Sequence, residues 1–239
     1  MIVNKNKKYS SIMIQRKYGA LEGKYSKCEA SNLGGKSAVL ILHPDSACGG
    51  SMKNKVVKVL GDAFATLDFD VLRINFRGVG KSQGKYDGGV GELDDALDAI
   101  DWLNSQYYDL ANIWVAGFGF GGLIAIKSVM RRPNINGFIS ISPPKESQEL
   151  NPLTPCSNGL LIVGENDHTV EPDVVKSLTE ILSCQKNASI DYKCVDRADH
   201  YFSDHMNELE DTIYNYIHDK MLLDSPICTK KKNRKLSSL

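Results

Sequence analysis

Along most of its length the chain alternates apolar runs of strand length with amphipathic stretches of helix length, and that alternation leaves few folds open. Ala38–His43, Phe69–Phe76, Asn112–Gly117, Asn136–Ser142, Gly159–Gly164 and Ser189–Val195 read as strands, most of them apolar enough for burial on both faces. Between them, Met52–Leu67, Gly91–Asn104, Leu123–Met130, Val174–Leu182 and Met206–Leu222 carry a helical period; in the second, Leu93, Ala96, Leu97, Ile100 and Leu103 share one face. Strands separated by helices imply right-handed crossovers and a mostly parallel sheet covered on both sides, an α/β architecture. Ahead of these, the stretch from Ser11 to Cys28, broken at Tyr18-Gly19, predicts an antiparallel hairpin at the sheet edge. The loop from Pro143 to Cys156 is the longest connection and is too short for a cap domain.

With 239 residues and no shift in composition, one core is expected: a short N-terminal segment (1–8), a single domain (9–223) and a basic tail (224–239). Lys plus Arg equals Asp plus Glu at 29 each, so there is no net field to gather nucleic acid or anionic lipid. The run Lys230, Lys231, Lys232, Arg234 and Lys235 reads as a solvated tail. Cys28, Cys48, Cys156, Cys184, Cys194 and Cys228 show no Cys-x-x-Cys spacing and are expected as reduced thiols. No apolar stretch reaches membrane-spanning length and no signal-peptide core is present, so the expected compartment is the cytoplasm.

Ligands of open α/β sheets bind where strands end, which directs attention to the loops there. Trp114-Val115-Ala116-Gly117-Phe118-Gly119-Phe120-Gly121-Gly122 has the strand, tight turn and helix of a Gly-x-Ser-x-Gly nucleophile elbow, with Gly119 in the central place. Two later strand ends carry Glu165-Asn166-Asp167-His168 and Ala198-Asp199-His200-Tyr201-Phe202. The chain order elbow, Asp167, His200 fits a triad in which the acid orients the imidazole and the imidazole acts as base.

These motifs, with His43-Pro44, Gly49-Gly50-Ser51-Met52-Lys53-Asn54-Lys55, Asn75-Phe76-Arg77-Gly78-Val79-Gly80-Lys81-Ser82-Gln83-Gly84, Gly91-Glu92-Leu93-Asp94-Asp95-Ala96 and Met130-Arg131-Arg132-Pro133, resemble the α/β-hydrolase superfamily. From Tyr18 to Leu223 the chain is most similar to a family of small, lidless bacterial hydrolases. The resemblance implies ester or acyl substrates, a serine nucleophile with Asp and His, and neither metal nor organic cofactor. It also places half of an oxyanion hole in the backbone at Asp45, the other half being the N–H of Phe120, with His43 and Arg77 beside the pocket.

Two positions depart from that pattern. Asp45-Ser46 stands where relatives carry a second His-Pro, and Gly119 stands where they carry serine. Loss of the serine from such chemistry costs about 10⁶-fold in turnover, roughly 8 kcal/mol, and leaves roughly 10³ to 10⁴ over water from the oxyanion hole and binding. The expected protein is therefore a hydrolase relative with an incomplete triad, weak or inactive, that keeps a pocket for an ester or acyl molecule. One alternative is hydrolysis by water activated by His200, or by a relocated nucleophile, Ser46 or Cys48. Another is dinucleotide binding, since Gly117, Gly119 and Gly122 spell Gly-x-Gly-x-x-Gly; the acid that motif expects after the next strand is missing from Ile139-Ser140-Ile141-Ser142-Pro143-Pro144. Asp94, Asp95 and Asp98 are expected on the solvent face of a helix, His168 and His205 lack zinc-site spacing, and Arg77 is expected to brace the elbow or touch substrate.

Overall fold

The computed structural model describes residues 8–17, 19–28, 35–108, 110–149, 157–184 and 188–224. The N-terminal residues 1–7 and nearly all of the basic tail lie outside them, as do Cys156 and Cys228. The described chain forms β1 (Ser10–Arg16), β2 (Gly19–Ser26), β3 (Lys36–Leu42), α1 (Lys55–Thr66), β4 (Asp70–Ile74), α2 (Val90–Ser105), β5 (Leu110–Phe118) and α3 (Phe120–Arg131). Then follow β6 (Gly137–Ile141), β7 (Asn158–Gly164), α4 (Pro172–Ser183), β8 (Ile190–Val195) and α5 (Met206–Asp224). The strands make one sheet in the order β1-β2-β4-β3-β5-β6-β7-β8, antiparallel from β1 to β4 and parallel from there on.

Period-two alternation divides the core. In β3, Leu40 and Leu42 face a layer built by α2, α3 and α4, while Val39 and Ile41 face α1 and α5. Both sides of β3 are fully buried, as its unbroken apolar run requires. Each such side chain contributes roughly 1.5–3 kcal/mol on burial, so the sheet centre is the stiffest part of the molecule and the loops at its carboxyl end inherit a fixed base.

Helix ends differ from the expected ones where a side chain captures backbone. Residues 52–54 are drawn out of α1 because the Asn75 side chain accepts from Met52 N–H (3.0 Å) and Asn54 caps the helix through Val56 N–H (2.8 Å). Helix α3 starts earlier than its apolar period suggests, directly after Gly119. Asp95 departs from expectation altogether. It is fully buried, accepts from the backbone N–H (2.8 Å) and Nη2 (2.7 Å) of Arg77, and is also paired with the buried Arg16. A buried carboxylate needs such partners, and two guanidinium groups supply them.

Candidate active site

Strand β5 ends at Phe118 and α3 begins at Phe120, leaving Gly119 to make the whole turn at φ 56°, ψ −122°. Side-chain-bearing residues adopt that conformation only under strain. The Gly119 N–H donates to Ile141 O (2.8 Å), and its carbonyl accepts from Gly122 and Leu123, so the turn is tied to both β6 and the helix. A Cβ on Gly117 would lie 2.2 Å from Gly121 O, which explains the glycine there by contact of strand with helix. A Cβ on Gly119 would instead meet Pro44 Cβ at 3.5 Å, an ordinary contact. Space for a side chain is therefore present at 119, and packing alone accounts for Gly117. The N–H groups of Phe120 and Gly121, the first of α3, have no carbonyl one turn back within the helix.

His200 lines the same cavity as Pro44 and Gly119, and Asp167 is bonded to it. His200 Nδ1 lies 2.8 Å from Asp167 Oδ2, while Asp167 Oδ1 accepts from Thr169 N–H (2.9 Å) and Val170 N–H (2.8 Å). Burial acts to raise the Asp167 pKa, but the hydrogen bonds from His200 and Val170 outweigh it and hold the carboxyl below its ordinary range. An ionised Asp167 fixes the tautomer with the proton on Nδ1 and leaves Nε2 as the free base. The loops carrying the pair are laced together: Asn166 N–H donates to Ala198 O (2.9 Å), and Glu165 accepts from Arg197 N–H (2.7 Å). Phe118 and Tyr201 flank the imidazole, with ring centroids 5.1 and 4.9 Å away.

Gly119, Phe120, Asp45, Cys48 and His200 all line one open cavity of about 700 Å³. Asp167 lies behind His200 rather than on the wall. The Asp45 side chain caps its own loop by accepting from Ala47 N–H (2.8 Å), and its carbonyl takes Gly50 N–H (2.8 Å).

The remaining expected residues are placed elsewhere. His43 is fully buried and does not line the cavity: its Nδ1–H donates to Pro44 O (2.6 Å), and its Nε2 accepts from Phe76 N–H (3.0 Å). Burial depresses its pKa to about 4, so the ring is neutral and serves to hold the β3 and β4 loops together. Arg77 and Ser46 line an adjoining cavity of about 550 Å³, and the Arg77 guanidinium is engaged by Asp95. Arg77 therefore braces the start of α2 instead of facing Gly119. Among the described residues no group of three His, Cys, Asp or Glu side chains is arranged to hold a metal, and no helix is long and apolar enough to cross a membrane. Among the described residues Cys28, Cys48, Cys184 and Cys194 form no disulfide.

Sequence reasoning missed several walls of the cavity: Tyr86, Leu123, Lys127, Ser142 and Tyr201. One signal for them was available, since Phe120, Leu123 and Lys127 repeat at helical spacing on the helix that leaves the elbow.

The family model described as serine aminopeptidase S33 matches residues 36–159. An uncharacterized protein of Rickettsia prowazekii (strain Madrid E) is 42% identical over 204 residues, covering 83% of this chain and 84% of its own. A putative alpha/beta hydrolase from Agrobacterium tumefaciens superposes with a TM-score of 0.83 at 34% identity, covering 90% of this chain and 98% of its own. An alpha-beta serine hydrolase homologue from Coxiella burnetii gives 0.78 at 31% identity, covering 87% and 96%. A serine hydrolase without lid from Xanthomonas campestris gives 0.78 at 26% identity, covering 90% and 95%. With its sheet order, its strand-turn-helix at Gly119 and these likenesses, the chain belongs to the α/β-hydrolase superfamily, in the family described as serine aminopeptidase S33.

Proposed function

We propose that this protein is a hydrolase relative with an incomplete triad, Gly119-Asp167-His200, that binds an ester or acyl compound and hydrolyses it weakly or not at all. One observation carries the reading: residue 119 makes the turn at positive φ with room for a Cβ, and His200, bonded to Asp167, lines the same cavity, yet residue 119 has no atom able to attack a carbonyl. On this reading the backbone N–H groups of Phe120 and Asp45 would receive an oxyanion. No covalent acyl intermediate forms at glycine, so any turnover must come from another nucleophile.

A second reading has its own support. His200 is held through Nδ1 and lies on the cavity wall, so Nε2 is placed to deprotonate a water near Gly119. Of the two relocated nucleophiles, Cys48 lines the cavity of Gly119 and His200, whereas Ser46 lines the neighbouring one.

The deciding experiment is Gly119→Ser, assayed on nitrophenyl esters and with a fluorophosphonate probe. The serine variant is expected to label and to hydrolyse at least about 10³-fold faster than the wild type. Equal turnover and labelling in the wild type would overturn the incomplete-triad reading. Wild-type turnover lost in His200→Ala, with no labelling, would favour activated water.

A further inference from the structure

Helix α3 carries one residue whose chemistry the elbow does not use. Phe120, Leu123 and Lys127 lie on the same face and line the same cavity, so the lysine stands about two turns along the wall from the oxyanion donors. Lys127 is half-buried and has no carboxylate within ion-pair distance among the described residues. The acids on the cavity wall are Asp45, whose side chain accepts from Ala47 N–H, and Glu146, which is exposed. Close by, the wall is apolar, formed by Phe120 and Leu123. A half-buried ammonium beside apolar surface gains from an anion brought to it.

We infer that Lys127 selects a ligand carrying a carboxylate at the end remote from its acyl carbon, that is, a monoester or related acyl derivative of a short dicarboxylic acid. Seven residues of helix place the Lys127 Cα roughly 10 Å beyond Phe120, and helical side chains lean back toward the N-terminus. The ammonium therefore sits short of that distance, which suits a linker of about two to four methylene groups between the two carbonyl carbons. The apolar face of α3 packs against those methylenes while the two polar ends are read separately. The inference rests on the proposed acyl-binding role of the cavity and names its substrate class.

Calorimetry on the full wild-type chain tests it with monomethyl adipate against dimethyl adipate, which has the same length and no charge. The monoester is expected to bind about 10- to 100-fold tighter than the diester. Lys127→Ala should bring monoester affinity down to that of the diester in the same variant, and Lys127→Arg should retain most of the advantage. Equal affinity for the two esters, no binding of either at millimolar concentration, or monoester binding unchanged in Lys127→Ala would each overturn the inference. Binding needs no serine, so the two readings fail separately. If Gly119→Ser is inert on every ester while lysine-dependent binding persists, the hydrolase reading falls. If Gly119→Ser cleaves neutral esters and Lys127→Ala changes nothing, the carboxylate reading falls.

Discussion

The two rims of the cavity are held in different ways. On one, Asp167 and His200 are fixed by an ionised carboxylate whose oxygens meet an imidazole and two backbone N–H groups, on loops laced to each other by further bonds. On the other, the elbow and the loop after β3 are fixed by backbone: Gly119 is bonded to β6, Asp45 caps its own turn, and a neutral buried His43 joins Pro44 to Phe76. The base rim thus holds reactive side chains in place, whereas the elbow rim holds only a shape. On the proposed reading, this division separates the support of a base from the support of a turn that carries no attacking atom.

The largest expected effect probes whether the base rim still works as a unit. In a Gly119→Ser background, Asp167→Asn should lower esterase turnover by about 10⁴-fold, because the amide favours the wrong imidazole tautomer. A loss below tenfold, measured as kcat on a nitrophenyl ester, would show that the pair no longer acts together. The next effect separates the rims by pH. His43 has a folded pKa of about 4 against an ordinary 6.5, so the unfolded chain binds the proton more readily between those values. The stability it contributes is fully present above pH 6.5 and falls by about 3 kcal/mol as pH drops to 4. Asp167, depressed below 3.8, loses its contribution only at lower pH. Urea unfolding should therefore show the wild type losing about 3 kcal/mol more than His43→Gln between pH 7 and 4; parallel losses would remove His43 as the elbow's clasp. The smallest effect sharpens the account of residue 119 itself. Gly119→Ala places a Cβ in ordinary contact with Pro44 but on a backbone at φ 56°, and should lower stability by about 1 kcal/mol in the same assay. A loss above about 3 kcal/mol would mean that the room inferred from the Pro44 contact is not usable.

Most of the fold was legible because β3, β5 and β7 are apolar on both faces, and only a covered parallel sheet buries such runs. Boundaries were less legible where a distant side chain decides them: nothing local announces that Asn75 will take Met52 out of α1. Asp95 was misjudged for a similar reason. Its helical position lies on the buried face with Ala96 and Ala99, but its partners Arg16 and Arg77 come from a strand and a loop far away in sequence. At the site, Gly119, Asp167 and His200 could be named from motif order, and the structure brings them to one place. Lys127 was signalled only by its helical spacing from Phe120, and Tyr86 and Tyr201 not at all, since which loop side chains share a wall depends on how separate loops converge.

The clasps on both rims, the Asp167 bonds, the Glu165–Arg197 lacing and the His43 bridge, are made entirely of the protein's own groups. If the proposed acyl compound binds here, such rim bonds need no rebuilding and the ordering entropy falls mostly on the compound. Stopped-flow traces should then be single-exponential, with an observed rate that climbs linearly with concentration instead of levelling off at the speed of a rearrangement.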